Sequence, residues 1–397
     1  MMTGQKLDQA GTHGIAPSMP LPPGAVILQV VPSLRSGGVE RGTIEIVHAI
    51  VEAGGEALVA SEGGPLVRSI TELGGRHVTL KLASKNPFTM WRNAARLARL
   101  IRTEKVQLVH ARSRAPAWSA KLAARRTGVR FLTTYHAPYG ENGPGKRAYN
   151  AVMAQGERVI AISRFIAELI QERHGLPSGR IRVIPRGVDT EAFDLDAVAP
   201  ERVARLREEW KLPAGRPVVL LPGRLSRWKG GEVLVEAMRW TRTQGLLCVL
   251  AGPFEARSRF VSALKARAGE LGSLDRLRFP GQCDDMPAAL ALADVVVSAS
   301  VEPEGFGRTV IEAQAMRRPV IVTDHGGAAE TVEHGVTGWR VPPGDPVALA
   351  AAIDRVLGLS AGERAGVGLR ARQSVLARYT TKTMQRATLD VYAELLS

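Results

Sequence analysis

Glu304 and Glu312 lie in the string ASVEPEGFGRTVIEAQAMRRP, Ala299 to Pro319, with seven residues between them. The run before it, Asp294–Ser298, is apolar and β-branched and reads as a buried strand. Gly305, Phe306 and Gly307 then make a loop, and a helix is expected from about Arg308. The backbone N–H groups at a helix start, here Gly307 to Thr309, have no helical carbonyl to bind, and glycines let a phosphate come close to them. Glu312, about one turn into that helix, is placed to accept hydrogen bonds from two adjacent ribose hydroxyls. Glu304, on the loop, reaches the hydroxyls of whatever lies beyond the phosphates. Two acids flanking a helix start are also common for a plain electrostatic reason, since the helix dipole favours them there. The pair therefore gains meaning only from the residues around it.

Those residues are present. Pro222-Gly223-Arg224-Leu225-Ser226-Arg227-Trp228-Lys229-Gly230 follows an apolar run and opens a helix. Arg224 and Lys229 can grip a diphosphate from two sides, one as a planar fork and the other as a point charge, although a basic loop with a solvated lysine would read the same way. Gly37 and Gly38, in Ser36-Gly37-Gly38-Val39, make a loop entering a helix where a ligand can approach closely. The full glycine fingerprint of a dinucleotide site is missing, which counts against nicotinamide. His136 ends the apolar run Phe131–Thr134 after Tyr135. A lone histidine is more often structural than catalytic, but a strand's carboxyl end raises its interest. His110, Arg112 and Arg114, after another such run, form a second group suited to an acidic acceptor.

With these pieces in view, the chain resembles the retaining glycosyltransferases of family 4, which have the two-domain GT-B architecture. The hallmark is Glu, seven residues, Glu between a strand and a helix, read here from Glu304 to Glu312. Gly305 stands where many members carry proline. The resemblance runs from about Ala25 to the C-terminus. It implies that Arg224 and Lys229 bind the donor diphosphate and stabilise it as it leaves, that His136 lies beside the transferred sugar, and that Gly37 and Gly38 abut the donor phosphate from the other domain. Asp324-His325-Gly326-Gly327-Ala328-Ala329-Glu330 resembles the family's Gly-Gly-x-x-Glu turn. Pro185-Arg186-Gly187-Val188-Asp189 resembles its Pro-Asn-Gly-Val-Asp, with Arg186 in place of asparagine. The implied reaction moves a sugar from a UDP- or GDP-sugar to the hydroxyl of a glycan or lipid-linked acceptor with retention at the anomeric carbon. Bacterial lipopolysaccharide and cell-envelope synthesis is the setting this suggests. The nucleoside diphosphate sugar is then a co-substrate, and neither cofactor nor metal is expected. His136 would hold the donor sugar or help the acceptor lose its proton, and no residue stands out as a covalent nucleophile.

Elements that could position these residues are legible. Seven strands are expected at 25–31, 56–60, 77–80, 107–110, 131–134, 158–161 and 182–184, and five more at 217–221, 246–251, 276–279, 294–298 and 319–323. Helical patterns lie between them, including 39–51 and 87–103. Continuous apolar strands alternating with helices mean α/β domains with parallel sheets covered on both faces. We therefore expect a disordered lead-in over 1–24, an N-terminal Rossmann-like acceptor domain over 25–195, a C-terminal nucleotide-sugar domain over 196–380, and a last helix over 381–397 packing back near the N-terminal domain. Ligands of such sheets bind at the strands' carboxyl ends, so two facing domains place a cleft there.

The formal net charge is +15, and residues 81–130 hold thirteen Lys and Arg against the one acid Glu104. A helical projection of 87–103 puts Trp91, Ala94, Leu97, Ala98 and Ile101 on one side and Arg92, Arg96, Arg99 and Arg102 on the other. That basic face is either simply solvated or meets anionic phospholipid. Nucleic acid would also suit the charge, but no RNA-binding aromatic motif or recognised helix-turn-helix accompanies it, and it leaves Glu304 and Glu312 unexplained. Two cysteines, Cys248 and Cys283, form no disulfide framework or metal cluster and suit a reducing compartment. No apolar run is long enough to span a membrane. A cytoplasmic enzyme, peripheral on the inner face of the membrane, is the expectation. Asp194-Leu195-Asp196 imitates the Asp-x-Asp metal motif, but its place in an acidic linker reads as a solvated turn. A same-architecture sugar-nucleotide epimerase, a phosphorylase and a silent donor-binding subunit are the alternatives.

Overall fold

The computed structural model describes residues 20–35, 37–255 and 258–397. Seven parallel strands form the first sheet: β1 (Val26–Val30), β2 (Glu56–Ser61), β3 (Arg76–Thr79), β4 (Leu108–Ala111), β5 (Arg130–Tyr135), β6 (Arg158–Ala161) and β7 (Ile181–Val183). Their spatial order is β3-β2-β1-β4-β5-β6-β7. Six more parallel strands form the second: β8 (Val218–Pro222), β9 (Leu247–Ala251), β10 (Leu277–Gly281), β11 (Val295–Ser298), β12 (Val320–Thr323) and β13 (Trp339–Val341). They run β10-β9-β8-β11-β12-β13. Strand order reverses between β1 and β4 in one sheet and between β8 and β11 in the other. At such a switch point the following loops diverge to opposite faces and leave a crevice.

The central strands are buried because helices cover both faces; β1, β4, β8 and β9 are buried along their whole length, whereas the edge strand β3 is exposed at both ends. The chain crosses back at its end. The helix Thr381–Leu396 leaves the second domain and lays Met384, Val391, Tyr392 and Leu395 among Ile27, Ile46, Val47 and Ile50 of the first. The crossing point is tight, since a Cβ on Gly187 would lie 2.5 Å from Thr381 Cα.

Three expectations need correction. The lead-in expected over 1–24 falls on residues outside the described set as far as 19, but its end is packed: Leu21 is buried and Gly24 N–H donates to Gly54 at 3.1 Å. Strand β13, Trp339–Val341, was not among the expected strands; it is three residues long and follows the turn at Gly335–Gly338. The helix Pro87–Thr103 forms with Asn86 as its cap, accepting from Thr89 N–H at 3.1 Å, a contact worth about 1 kcal/mol. Its core side holds Asn93, Ala94, Leu97, Ala98 and Ile101, but Trp91 is 54% exposed. The projection misplaces Trp91: Asn93 takes an inner position instead, its amide donating to Lys81 O at 2.8 Å.

Candidate active site

The two switch points face each other, and the loops that carry the chemistry leave from them. After β8 the chain turns at Gly223 and reaches Arg224 and Lys229; after β11 it reaches Glu304. These loops are tied together, with Val301 N–H donating to Trp228 O at 2.8 Å. Gly230 is required at the join: its φ is +72°, and a Cβ there would lie 1.8 Å from Ala299 O. The consequence is a buried ion pair. Lys229 Nζ is 2.8 Å from Glu304 Oε1, with the two side chains 18% and 8% exposed. Ser298 Oγ donates to the same oxygen at 3.3 Å, as does Ser300 Oγ. Burial raises the Glu304 pKa, but the Lys229 charge and hydrogen bond and the two serine hydroxyls outweigh it, and the carboxyl is held below its usual range. Lys229 also stands over the Trp228 ring at 4.4 Å.

The helix Arg308–Ala315 begins after Gly307, which has φ +82° and offers no side-chain cap. The Glu304 loop is braced from below, where Gly327 N–H donates to Glu304 O at 2.8 Å. The side chain of Phe306 is spent on the core, edge-on to Tyr379 at 5.7 Å, so only its backbone is left to meet a ligand. Glu312 is buried one turn along; burial raises its pKa against the pull of Arg308 and Arg41.

From the opposite domain, Gly38 comes within Cβ reach of Arg308 Cδ, 3.8 Å, and Glu45 pairs with Arg308 Nη2 at 2.8 Å. Ser36 lies outside the described residues. Glu40, beside Gly37, is pushed up by burial, offset by its own backbone hydrogen bond and by the charges of Arg224 and Arg186. Arg224 itself is exposed. Gly305 has a steric reason to replace proline: a Cβ there would lie 2.6 Å from His136 O and 3.2 Å from Ile162 Cδ1. Its carbonyl accepts from Ser163 Oγ at 2.7 Å. The backbone of His136 therefore lies against the Glu304 loop, and its ring is joined to the Gly37-Gly38 loop through Arg186, which contacts both His136 Nδ1 and Gly38 O.

The His110 group is placed differently. His110 has no exposed surface; Nδ1 lies 2.7 Å from Tyr392 Oη and Nε2 2.7 Å from Thr134 Oγ1. Arg112 is buried and donates to Gln29 Oε1 at 2.6 Å. Arg114 packs over the Tyr139 ring at 4.3 Å and donates to Asn150 Oδ1 at 2.9 Å. The hollow beside His110 and Arg112 measures about 10 Å³, the space of a single water. An acceptor cannot touch His110 in this conformation; His110 packs against Tyr392 of the C-terminal helix, while Arg114 is held by the segment 139–150. Glu330 reaches the other domain, accepting from Arg164 and Phe165 N–H at 3.0 and 2.5 Å at a helix start. The solvated turn expected at Asp194–Asp196 holds only in part: Asp196 is 74% exposed beside Arg317, while Asp194 pairs with Arg372 at 2.9 Å and with Arg317 at 3.5 Å.

Comparison with known proteins agrees with this geometry. The family model described as Glycosyltransferase Family 4 matches residues 36–192, and that described as Glycosyl transferases group 1 matches 203–373. A D-inositol 3-phosphate glycosyltransferase of Xylanimonas cellulosilytica is 32% identical over 289 residues, covering 69% of this chain and 68% of the relative. The chain belongs to glycosyltransferase family 4. A GDP-mannose-dependent alpha-(1-6)-phosphatidylinositol monomannoside mannosyltransferase of Mycolicibacterium smegmatis is 29% identical, covering 66% of this chain and 70% of that protein. A glycosyltransferase from Rickettsia africae has the same GT-B fold, with a TM-score of 0.87, 36% identity and coverage of 94% and 99% of the two chains. The family member described here is thus a glycosyltransferase.

The residues missed by sequence reasoning are Glu45, Ser298, Ser300 and Gly42. Ser298 and Ser300 lie within the motif region and could have been flagged as hydroxyl donors beside an acid. Glu45 and Gly42 carry no local signal, because their partners are far along the chain.

Proposed function

We propose that the enzyme transfers a hexose from a UDP- or GDP-sugar to a hydroxyl of a cell-envelope acceptor, a glycan or lipid-linked molecule such as a lipopolysaccharide precursor. The observation that carries this reading is the Lys229–Glu304 pair at 2.8 Å. It sets a diphosphate-binding cation against a sugar-orienting carboxylate at a switch point facing His136. In this reading the departing diphosphate is stabilised by Arg224, Lys229 and the backbone at 307–309, so fixed cations supply the charge that a metal would otherwise provide. Glu312 holds the ribose and Glu304 the sugar. Retention is the family's stereochemical course, and the anomer of the product tests it. The D-inositol 3-phosphate and phosphatidylinositol mannoside named for the relatives favour a polyol or lipid-linked acceptor.

The membrane-facing part rests on a separate feature. Phe88 and Trp91 are 66% and 54% exposed and stack at 6.5 Å. Arg92 lies over the Phe88 ring and Arg126 over the Trp91 ring, and Arg96, Arg99 and Arg102 continue the exposed row. Aromatic rings among cations suit the headgroup region of an anionic leaflet. Among the described residues no helix is long and apolar enough to cross a membrane. We place the enzyme on the inner face of the cytoplasmic membrane. Incubation with UDP- and GDP-hexoses and polyol or lipid acceptors, read by product mass and anomer, tests the activity; no transfer and no donor hydrolysis with any pair would sink it. Sedimentation with anionic liposomes tests the surface: Phe88→Ser/Trp91→Ser should lower the bound fraction, and unchanged binding would remove the membrane assignment.

A further inference from the structure

Arg186 stands where the family's motif carries asparagine, and its surroundings are built for a guanidinium. It is 6% exposed. Its Nη2 donates to His136 Nδ1 at 2.8 Å and to Gly38 O at 3.3 Å. Gly42 makes the room: a Cβ there would lie 2.4 Å from Arg186 Nη1 and 3.1 Å from Cζ. A guanidinium has donors and no acceptor. Nδ1 must therefore accept, and the proton of a neutral imidazole must be on Nε2. Nε2 is buried and has no hydrogen-bond partner in the described protein. It is a buried N–H with no partner, on a residue whose backbone carbonyl lies against the Glu304–Gly307 loop, 2.6 Å from where a Cβ on Gly305 would be.

We propose that Arg186 is a positioning residue for His136: by donating to Nδ1 it holds the imidazole as the uncharged Nε2–H form, so that His136 meets its ligand as a hydrogen-bond donor and not as the base that takes the acceptor's proton. Placing a second proton on Nδ1 would set an N–H against the guanidinium and put two cations in contact. The electrostatic setting points the same way. Burial depresses His136 most, followed by the charges of Arg186, Arg112 after β4 and His110 on β4. The phenol of Tyr139, from the following loop, approaches His136 N. Arg186 is itself pulled down by burial and by Arg112 and Arg308, against Glu45 and Tyr139, to about 9, and remains charged at neutral pH. The choice between donor and base, open from the sequence, is thus made by a residue 50 positions away.

This inference rests on the transferase reading for its functional meaning, but its structural part can be tested without turnover. Nitrogen-15 NMR of the full chain labelled at histidine, with His136→Gln to assign the signal, reports tautomer and protonation. The wild type should show His136 as neutral Nε2–H at neutral pH and still neutral where an ordinary histidine titrates. Arg186→Leu should raise the His136 titration, with burial and Arg112 still holding it below an ordinary histidine, and admit the Nδ1–H form, and Arg186→Lys should restore much of the wild-type signal. Gly42→Ala should mimic Arg186→Leu by displacing the guanidinium. An Nδ1–H ring in the wild type, or an Arg186→Leu variant with unchanged tautomer and titration, would overturn the proposal. In donor binding, Arg186→Leu should acquire a pH dependence over the range of that raised titration that the wild type lacks, and Arg186→Leu/His136→Gln should lose it. A dependence that persists in the double variant also counts against the proposal. Failure of transfer alone, with the NMR result intact, would instead reject the functional reading.

Discussion

Replacing Lys229 with methionine should destabilise the protein more than a loop lysine normally would. In the native state Glu304 is 8% exposed and its Oε1 is shared by Lys229 and two serine hydroxyls. Removing one partner of a buried ion pair costs roughly 3–5 kcal/mol, because the other charge is stranded. The two serines remain, so the lower end, about 3 kcal/mol, is expected. The sign follows from linkage. Glu304 is depressed in the wild type, so it contributes stability above its unfolded pKa, which is lost as pH falls. In Lys229→Met burial is left to raise it, so the penalty is full at neutral and alkaline pH and is relieved as acid protonates the carboxyl. Urea unfolding at pH 8 and pH 5 measures both effects. Lys229→Met/Glu304→Gln should recover to within about 1 kcal/mol of wild type, since no buried charge is left unpaired. A cost below about 1 kcal/mol at pH 8, or a double variant as unstable as the single, would refute the reasoning.

Other expectations follow from the same contacts. Glu312→Gln removes a buried carboxylate whose pKa is already raised; stability should be unchanged or higher, while donor affinity measured by calorimetry should fall roughly 10- to 100-fold with the lost charged hydrogen bonds. Glu45→Ala removes the cross-domain partner of Arg308; it should cost about 2 kcal/mol in urea unfolding and enlarge the radius of gyration in solution scattering, and unchanged values would mean that the pair does not hold the domains together. His110 and His136 are both held well below the usual histidine range by burial first and neighbouring cations second. These two histidines alone let the unfolded chain take up two more protons as pH falls below about 6.5, with His77 and His174 lowered in the same direction; stability should drop with acid, and His136→Gln should reduce the slope by about 1.4 kcal/mol per pH unit near pH 5.5.

What could be read from the sequence was local. The string from Asp294 to Glu312 shows a strand, a glycine turn and a helix start in succession, and the folded chain has them within a residue of where the pattern puts them. The helix over 87–103 is bounded by an asparagine cap and a proline, both short-range signals. The contacts that define the rest of the site join distant positions. His110 looks like a ligand residue at a strand end until Tyr392, 282 residues away, closes over it. Trp91 fits an apolar stripe by spacing, but the buried face is centred on Asn93, Ala94, Leu97, Ala98 and Ile101, with Asn93 bonded to Lys81 O, and Trp91 is left facing outward. Glu330 matches a motif in the donor domain yet spends its carboxylate on a helix start in the other domain. The fit of Arg186 beside Gly42 is likewise a matter of tertiary packing, invisible to periodicity or spacing.

The central claim is that Lys229, Glu304 and Glu312 form the binding site of a nucleoside diphosphate sugar. Calorimetric titration of UDP and GDP, and of their hexose conjugates, into the wild type and into Lys229→Met/Glu304→Gln tests it most directly, because the double variant is expected to stay folded. The account predicts saturable binding of at least one of these ligands to the wild type, with one site per chain, weakened roughly 10- to 150-fold in the variant through loss of a charged phosphate contact. Equal affinity in the two proteins, or no binding of any of these ligands to the wild type, would contradict it.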